Sequence, residues 1–289
     1  MAPEDAAAEA VKLEPAAICA QREEALKSFQ AKMIALGRED LRRKYAWYHT
    51  VDLGNGILTP GVYDYRDLLP RFHFPEDMRG MEVLDVGSAT GFFAFEFEKR
   101  GAAVTSVELA SMADWDMPPG EDRSETIKHL MARHGVDTLE EVDYLQLEGP
   151  FRLCHEMLRS KAKRLRCTVY NMSRETLGAD AFDLVFVGDV LLHLFSPLKA
   201  LCAIAPLCRG TLVVSQGIPT LAESTPVMLY LGGDRRVGDG RTWWYPNRSC
   251  FRQMLARVGF TSVEFVDEFS ILNRLDGTVN HNTVLHARK

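Results

Sequence analysis

Short apolar runs alternate with amphipathic segments along most of the chain after residue 81. Five runs have the length of buried strands: 82–87, 103–108, 166–170, 182–187 and 211–215. Three other segments are predicted to be helical: 91–100, 151–163 and 197–207. Regular alternation of strands and helices predicts a parallel sheet with helices on both faces, as in Rossmann-like α/β folds.

The C-terminal pattern differs, because two strand-like runs follow each other with no helix between them. These runs, 262–266 and 283–286, are separated by a turn-rich loop around Asp276 and Gly277. Such a pair predicts an antiparallel hairpin at one edge of the sheet. We therefore expect a seven-stranded, mostly parallel sheet whose last strand is antiparallel.

The pattern divides the 289 residues into three predicted parts. These are a disordered tail at 1–14, a helical N-terminal cap or substrate lid at 15–80, and one Rossmann-like domain at 81–289. Two polar, turn-rich stretches predict insertions into that domain, at 111–148 and 217–246. Helical spacing recurs in two further places: 15–45 and 123–134.

The charge balance argues against a broad nucleic-acid surface. The net charge is −6 and the pI about 5.8, whereas such surfaces are basic. The basic cluster between Arg152 and Arg166 predicts a solvated helix face. The sequence has no run of 18 apolar residues and no signal-like start, so we expect a cytoplasmic protein that does not bind membranes.

A glycine loop follows the first strand, in the sequence Val83-Leu84-Asp85-Val86-Gly87-Ser88-Ala89-Thr90-Gly91. Glycines at the two ends of the loop allow a ligand close to the backbone, because no Cβ is in the way. A carboxylate at Asp85 would complement a cationic ligand. A tight turn without a ligand would produce the same pattern, since glycine motifs are weak signals alone.

An acidic residue, Glu108, ends the next strand. In nucleotide-binding α/β folds, an acid at this place holds the ribose hydroxyls, and the glycine loop favours this role over that of an ordinary exposed acid. An NAD-dependent oxidoreductase would share both features. It would also have a G-x-G-x-x-G loop, and here the middle glycine is missing.

The ends of the third and fourth predicted strands also carry candidate residues, because strand ends at the switch point face the ligand. Asn171 is a candidate partner of an adenine amino group, and Met172 would pack on the ring. Gly188 would border the cofactor. His193 is a candidate general base, since its ordinary pKa is near neutrality. Strand-end capping or core packing would explain each residue equally well.

These residues belong to a pattern that resembles the methyltransferases dependent on S-adenosylmethionine (SAM) and related to the bacterial tRNA wobble-uridine carboxymethyltransferase. Five segments within 47–267 carry the resemblance: Trp47-Tyr48-His49 with Leu53-Gly54 and Thr59-Pro60-Gly61, Val83 to Gly87, Phe182 to Phe186, Leu191 to Leu198, and Trp244 to Asn247 with Val258-Gly259-Phe260. The resemblance implies a Rossmann-like class I methyltransferase fold and a SAM-type cofactor. It also implies cofactor contacts at Asp85, Gly87, Gly91 and Glu108, and the predicted set adds Ser88, Asn171, Met172 and Gly188.

One departure from that family bears on the reaction. Carboxymethylating members have Leu-Tyr-His where this chain has Leu191-Leu192-His193, so the tyrosine that helps to hold the extra carboxylate is missing. We therefore expect ordinary methyl transfer to a small-molecule acceptor, through a hydroxyl. The alternatives are a tRNA wobble-uridine (carboxy)methyltransferase and a protein that binds SAM without catalysis.

Aromatic and basic residues of the cap and of the 217–246 loop are candidates for the acceptor pocket: Trp47, Tyr48, Tyr230, Arg241 and Trp244. Arg241 is near the place where carboxymethylating relatives have an arginine for the donor's carboxylate. His193 and His49 are the candidate bases. We expect no metal, because the one weak combination, His49 and Asp52 with His193, has no metal-ligand spacing.

Overall fold

The computed structural model describes residues 15–38, 45–118, 120, 122–221, 223–232 and 242–289. Seven of its strands form one sheet in the order β3-β2-β1-β4-β5-β9-β8. Their bounds are β1 Glu82–Val86, β2 Ala103–Glu108, β3 Lys163–Arg166, β4 Phe182–Gly188, β5 Cys208–Gln216, β8 Ser262–Leu272 and β9 Val279–Arg288. Two short strands, β6 Met228–Tyr230 and β7 Trp244–Pro246, form a separate antiparallel pair.

The predicted architecture is confirmed. The first five strands of the large sheet pair in parallel, and β9 runs antiparallel between β5 and β8. The described helices are α1 Pro15–Ala35, α2 Phe92–Lys99, α3 Ser124–His134, α4 Leu139–Asp143, α5 Gly149–Leu158, α6 Arg174–Leu177, α7 Pro197–Ile204 and α8 Arg248–Arg257. None of them is long and apolar enough to cross a membrane.

The third strand lies earlier than predicted, at 163–166 instead of 166–170. The preceding helix, predicted to reach residue 163, ends at Leu158 because Arg159 adopts a left-handed conformation with φ 51°. The stretch predicted as a solvated basic helix face therefore supplies the edge strand β3. Its strand-end turn, Val169–Asn171, is 3-10 helical.

Both predicted insertions contain regular structure. The first holds α3, at the predicted helix 123–134, then α4 and a π-helical turn at Tyr144–Glu148. The second was predicted to be a loop, yet β6 and β7 pair across it. A strand of three residues is too short to leave a periodic signal in the sequence.

The sheet has a hydrophobic core on each face. Aromatic rings dominate the core under the N-terminal part, where Phe93 and Phe186 have ring centroids 4.4 Å apart. Aliphatic residues dominate the opposite core, under α7 and α8. Side chains of a strand point alternately to the two faces of the sheet. Neighbouring residues of β4, β5 and β9 therefore contribute to different cores.

The N-terminal part is less helical than predicted. Helix α1 ends at Ala35, and residues 39–44 of the predicted helix 15–45 lie outside the described part, as does the predicted tail 1–14. Residues 45–65 form an irregular segment held by isolated bridges, and a 3-10 helix follows at Arg66–Phe72. We call 45–65 the cap segment. The division into a cap at 15–80 and a Rossmann-like domain at 81–289 stays a prediction.

Candidate functional site

The glycine loop after β1 has an unusual backbone. Gly87, Ala89 and Gly91 all have positive φ, at 72°, 47° and 88°. A Cβ added at Gly87 would lie 2.5 Å from Val190 Cγ2, and one at Gly91 would lie 2.7 Å from the Phe151 ring. Glycine is therefore required at both ends by conformation and by space.

Glu108 ties the second strand to this loop. Its Oε2 accepts a hydrogen bond from the Ala89 N–H at 2.7 Å, and its Oε1 accepts one from the Leu109 N–H at 2.9 Å. The carboxylate is half-buried, and each oxygen has capacity for a further donor. Glu108 is thus held beside the glycine loop with both oxygens able to accept hydroxyl hydrogens.

Arg164 of β3 extends under the same loop, a contact that the sequence analysis missed. Its guanidinium donates to Ser88 Oγ at 2.8 Å, to the Ala89 carbonyl at 3.2 Å and to the Leu147 carbonyl at 2.7 Å. The group also stacks on Phe151, 4.0 Å from the ring centroid. The Ser88 hydroxyl, predicted to contact the cofactor, is therefore turned toward the protein interior.

Asp85 lies beneath the loop and is buried. Burial raises the pKa of its carboxyl to about 7, the nearby negative charge of Glu108 adds to this, and Arg164 opposes it. Its Oδ2 has no hydrogen-bond partner among the described residues. Two acids and one guanidinium, those of Asp85, Glu108 and Arg164, thus lie together beneath the loop. The charges of Glu108 and Arg164 shift the pKa of Asp85 in opposite directions.

The cap segment docks directly on the glycine loop. The His49 N–H donates to Thr90 Oγ1 at 3.1 Å, and the Thr59 hydroxyl donates to the His49 carbonyl at 2.9 Å. The imidazole packs against the Tyr65 and Phe93 rings, with centroids 5.6 and 5.8 Å away. Burial lowers the pKa of His49 to about 3, so the ring is neutral, and its Nδ1 has no partner among the described residues.

Another polar group forms at the end of β4. Asp189 follows Gly188 and has a positive φ of 51°. Its Oδ2 accepts hydrogen bonds from the Tyr65 hydroxyl at 3.3 Å and from Asn282 Nδ2 at 2.9 Å. Burial raises the pKa of Asp189 to about 6, and the two hydrogen bonds oppose this. Cap, β4 and β9 thus meet at one carboxylate.

Unsatisfied polar atoms lie on the neighbouring strand. Ser215 and Gln216 end β5 and are buried, and the Ser215 hydroxyl and both polar atoms of the Gln216 amide have no hydrogen-bond partner among the described residues. Buried polar groups are normally paired, so such atoms point to a site completed by something else. The carboxyl ends of the central strands therefore form the candidate site.

Comparison with known proteins agrees with this geometry. The family model described as a methyltransferase domain matches residues 60–264. The chain belongs to this family. Residues 60–264 are thus a methyltransferase domain, and methyltransferases of this family use SAM as the methyl donor.

One curated relative of this methyltransferase is the tRNA U34 carboxymethyltransferase of Idiomarina loihiensis. The two are 25% identical over 193 residues, which are 66% of this chain and 49% of that protein. The matched stretch thus spans about half the length of the curated relative.

Solved structures show more distant similarity. Magnesium protoporphyrin IX methyltransferase from Synechocystis is 14% identical with a TM-score of 0.45, over 73% of this chain and 75% of that chain. The 1,6-didemethyltoxoflavin-N1-methyltransferase of Burkholderia thailandensis is 18% identical with a TM-score of 0.45, over 100% and 94%.

The residues of this methyltransferase fit SAM. The donor carries sulfonium and ammonium cations, and the site offers the carboxylates of Asp85 and Glu108, the former with an oxygen that lacks a partner. The left-handed glycine loop gives backbone access at Gly87 and Gly91. Bound SAM would supply a methyl group activated by the positive charge on sulfur. Contact of each predicted residue with SAM stays a prediction.

Two predicted cofactor residues lie farther along the edge than expected, because β3 ends before them. Asn171 is exposed at the end of a 3-10 turn, and Met172 is buried with Val169 and Leu177 in the aliphatic core. The contacts of Met172 are those of core packing. Its contact with adenine stays a prediction.

The predicted acceptor residues fall into two groups. Trp47 is only 2% exposed and packs edge-on against Phe29 and Tyr45, whereas Tyr48 is partly exposed. The rings of Tyr230 and Trp244 contact each other across the β6–β7 pair, with centroids 4.8 Å apart and planes tilted by 51°.

The β6–β7 pair lies beside the turn that contains His193. The Trp243 N–H donates to the Leu192 carbonyl at 2.9 Å, and Trp244 Nε1 donates to the Phe195 carbonyl at 3.0 Å. Arg241 lies outside the described residues.

The weak metal combination gains no support. Among the residues that the structure describes, no three His, Cys, Asp or Glu side chains are grouped as metal ligands. His49 lies instead in an aromatic surround.

Proposed function

We propose that this methyltransferase transfers a methyl group from SAM to the hydroxyl of a small-molecule acceptor. The observation that carries the proposal is the cap segment, whose His49 N–H bonds to the glycine-loop residue Thr90. A cap fixed on the donor loop would cover an acceptor bound between cap and sheet, and sites covered in this way suit small ligands.

Within this proposal, Asp85, Gly87, Gly91, Glu108 and Gly188 surround the donor. Methyl transfer needs donor and nucleophile in line, which is a positioning task, together with a route for the acceptor's proton. Of the two candidate histidines, His49 is a weak proton acceptor because burial lowers its pKa to about 3. His193 is half-buried and stays the histidine candidate.

We propose that the protein acts in the cytoplasm. Its six cysteines are all free, and unpaired thiols are typical of reducing compartments.

The second candidate function is modification of tRNA at the wobble uridine. The 25% identical relative favours it. The net charge of −6 weighs against it, because RNA binding depends on cationic contacts with phosphates.

One assay separates the two candidates. The purified protein is incubated with methyl-labelled SAM and either a deproteinised small-molecule cell extract or bulk tRNA. We expect label in the small-molecule fraction, and a Glu108→Gln variant, which loses the charge at the loop, should lose it. Label in tRNA alone would reverse our choice. Label in neither, with no SAM binding by calorimetry, would overturn the proposal.

A further inference from the structure

Asp189 lies in the stretch 188–193 after the fourth strand, and the sequence analysis gave it no role of its own. It is half-buried at the carboxyl end of β4, and both of its side-chain hydrogen bonds, from Tyr65 and Asn282, fall on Oδ2. Within the described part of the chain, no group donates to Oδ1. A carboxylate held through one oxygen presents the other to a ligand in a fixed direction.

The backbone at Asp189 is also held in an uncommon conformation. Its φ of 51° is left-handed, which costs free energy for a residue with a Cβ. The Asp189 N–H bonds to the Ser215 carbonyl at 2.7 Å, which fixes the turn against β5. Strain of this kind persists where the surrounding structure enforces it, and such positions cluster at functional sites.

The location joins the donor loop to the cap. Val190, the next residue, has its Cγ2 2.5 Å from the Cβ position of Gly87. On the other side, the Tyr65 ring packs against His49, whose backbone bonds to Thr90. Asp189 therefore lies between the glycine loop and the cap, where donor and acceptor must meet.

Resting on the function proposed above, we propose that Asp189 Oδ1 faces the transferred methyl group and receives the proton of the acceptor. The acceptor's O–H or N–H heteroatom forms the bond to the methyl carbon, the sulfur–carbon electron pair stays on sulfur, and the proton passes to Asp189. The products are the methylated acceptor, S-adenosylhomocysteine and a neutral carboxylic acid.

The same geometry selects an acceptor class. The titratable and polar groups that face Asp189 are Tyr65 from the cap and Asn282 from β9, with the neutral His49 behind Tyr65. Burial and the Asp189 charge keep the pKa of Tyr65 well above its usual value, so it remains a donor. No described Lys or Arg pairs with Asp189. A neutral or cationic acceptor, an alcohol, phenol or amine, suits this site, and a carboxylate acceptor is repelled.

A test that needs no known acceptor compares SAM with S-adenosylhomocysteine, which differ by the methyl group and the positive charge. Calorimetry gives both dissociation constants for the wild type and for Asp189→Asn at pH 8. We expect the variant to lose at least roughly tenfold in SAM affinity, because the attraction between the carboxylate and the sulfonium charge is removed. Its affinity for the neutral product should change little, which also reports that the variant is folded.

Asp67→Asn serves as the matched control, because Asp67 is an exposed carboxylate two residues from Tyr65. A second part of the test uses the wild type alone, so it does not depend on whether a variant folds. It measures the preference for SAM over S-adenosylhomocysteine as a function of pH. This preference should be highest at pH 8 and decline as the pH falls through about 6, where Asp189 takes up a proton, after an earlier change near pH 7 from Asp85. Bound sulfonium charge would move this midpoint lower.

The outcomes separate the two proposals. An unchanged SAM-to-product ratio in Asp189→Asn, or in the wild type between pH 8 and 5, overturns the role of Asp189 and leaves the methyltransferase proposal standing. Failure of the wild type to bind either compound overturns the proposed function itself.

In the extract assay, wild-type products should be alcohol, phenol or amine derivatives. The Asp189→Asn variant should form them more slowly when SAM is saturating. Predominant methyl esters would contradict the acceptor class.

Discussion

At the scale of single residues, Arg164 is the most heavily bonded side chain of the candidate donor site. It contacts Ser88, Ala89 and Leu147 and is the one described cation that influences the pKa of Asp85. Removing one member of a buried charged group leaves the others unpaired, which costs more than the group contributes when intact. The glycine loop therefore depends on a residue 75 positions away from Ala89.

Arg164→Gln should lower the free energy of unfolding by about 3 kcal/mol, from the typical cost of breaking a buried charge network. It should also weaken SAM binding by at least about tenfold, because the loop loses its support. Chemical denaturation and calorimetry measure the two effects. Arg152→Gln is the control, since Arg152 is exposed on the neighbouring helix α5. Equal effects in both variants would count against this role.

His49 makes stability dependent on pH. Its folded pKa of about 3 lies below its ordinary value of 6.5, so the unfolded chain binds a proton that the folded chain does not. Stability is therefore complete above pH 6.5 and is lost as the pH falls toward 3. Between pH 7 and 4.5 the loss from this one group should be about 2 to 3 kcal/mol.

His49→Phe should remove this loss, because the ring contacts stay and the titration disappears. The quantity to measure is the change in the free energy of unfolding between pH 7 and 4.5, by urea denaturation. The same substitution at His281, exposed on β9, should keep the wild-type slope. A His49→Phe slope equal to that of the wild type would show that this histidine is not buried as described.

At the scale of elements, the sequence predicts the central strands and the C-terminal hairpin but misplaces the edge strand β3. Strand β1 is apolar and the glycine loop follows its end, so the hydrophobic pattern and the motif both indicate a strand here. Strand β3 reads Lys-Arg-Leu-Arg, which has no apolar alternation and looks like a solvated helix face. Only the tertiary contacts of Arg164 reveal that one of these cations is directed inward.

The candidate site likewise has one part that the sequence predicts and another part that only the fold brings together. The glycine loop and Glu108 are local signals, one strand and one helix apart. The Asp189 carboxylate acquires its partners from residues 124 and 93 positions away, Tyr65 and Asn282. No spacing rule within one sequence links such residues, because the pairing depends on β9 entering the sheet beside β5 and on the cap folding over both.

The cap segment is an element whose position depends on one glycine. A Cβ at Gly61 would lie 2.1 Å from the His49 carbonyl carbon and 2.1 Å from the Thr50 nitrogen, both backbone atoms. The φ of Gly61 is not positive, so the requirement is space alone. The two backbone stretches of the cap can lie together only without a side chain here.

Gly61→Ala should therefore separate these stretches, lower the free energy of unfolding by about 2 kcal/mol and raise hydrogen exchange at the Thr50 amide. Thermal denaturation and exchange mass spectrometry measure this. Gly217→Ala is the control, because an added Cβ there meets neighbours only at 3.5 Å or more. An unperturbed Gly61→Ala variant would contradict the close packing of the cap.

At the scale of the whole molecule, the cap is held from two sides. The glycine loop binds it through Thr90, and the tip of the β8–β9 hairpin binds it through Arg274. That side chain donates to Thr50 Oγ1 at 3.2 Å and to Asp64 Oδ2 at 3.2 Å. The C-terminal hairpin thus closes a cap that comes from the N-terminal part of the chain.

Arg274→Ala should release this side of the cap while the loop contact stays. Exposed ion pairs contribute about 0 to 1 kcal/mol, so the free energy of unfolding should change little. Opening a lid acts mainly on rates, so SAM should dissociate about five- to tenfold faster in stopped-flow displacement. Arg209→Ala is the matched control, because Arg209 also bridges two side chains, the carboxylates of Asp183 and Glu82, at the amino ends of the central strands. If both variants release SAM at the wild-type rate, the hairpin does not govern the cap. If both release it faster, the effect is general loosening, whereas faster release in Arg274→Ala alone identifies the hairpin as the closure of the donor site.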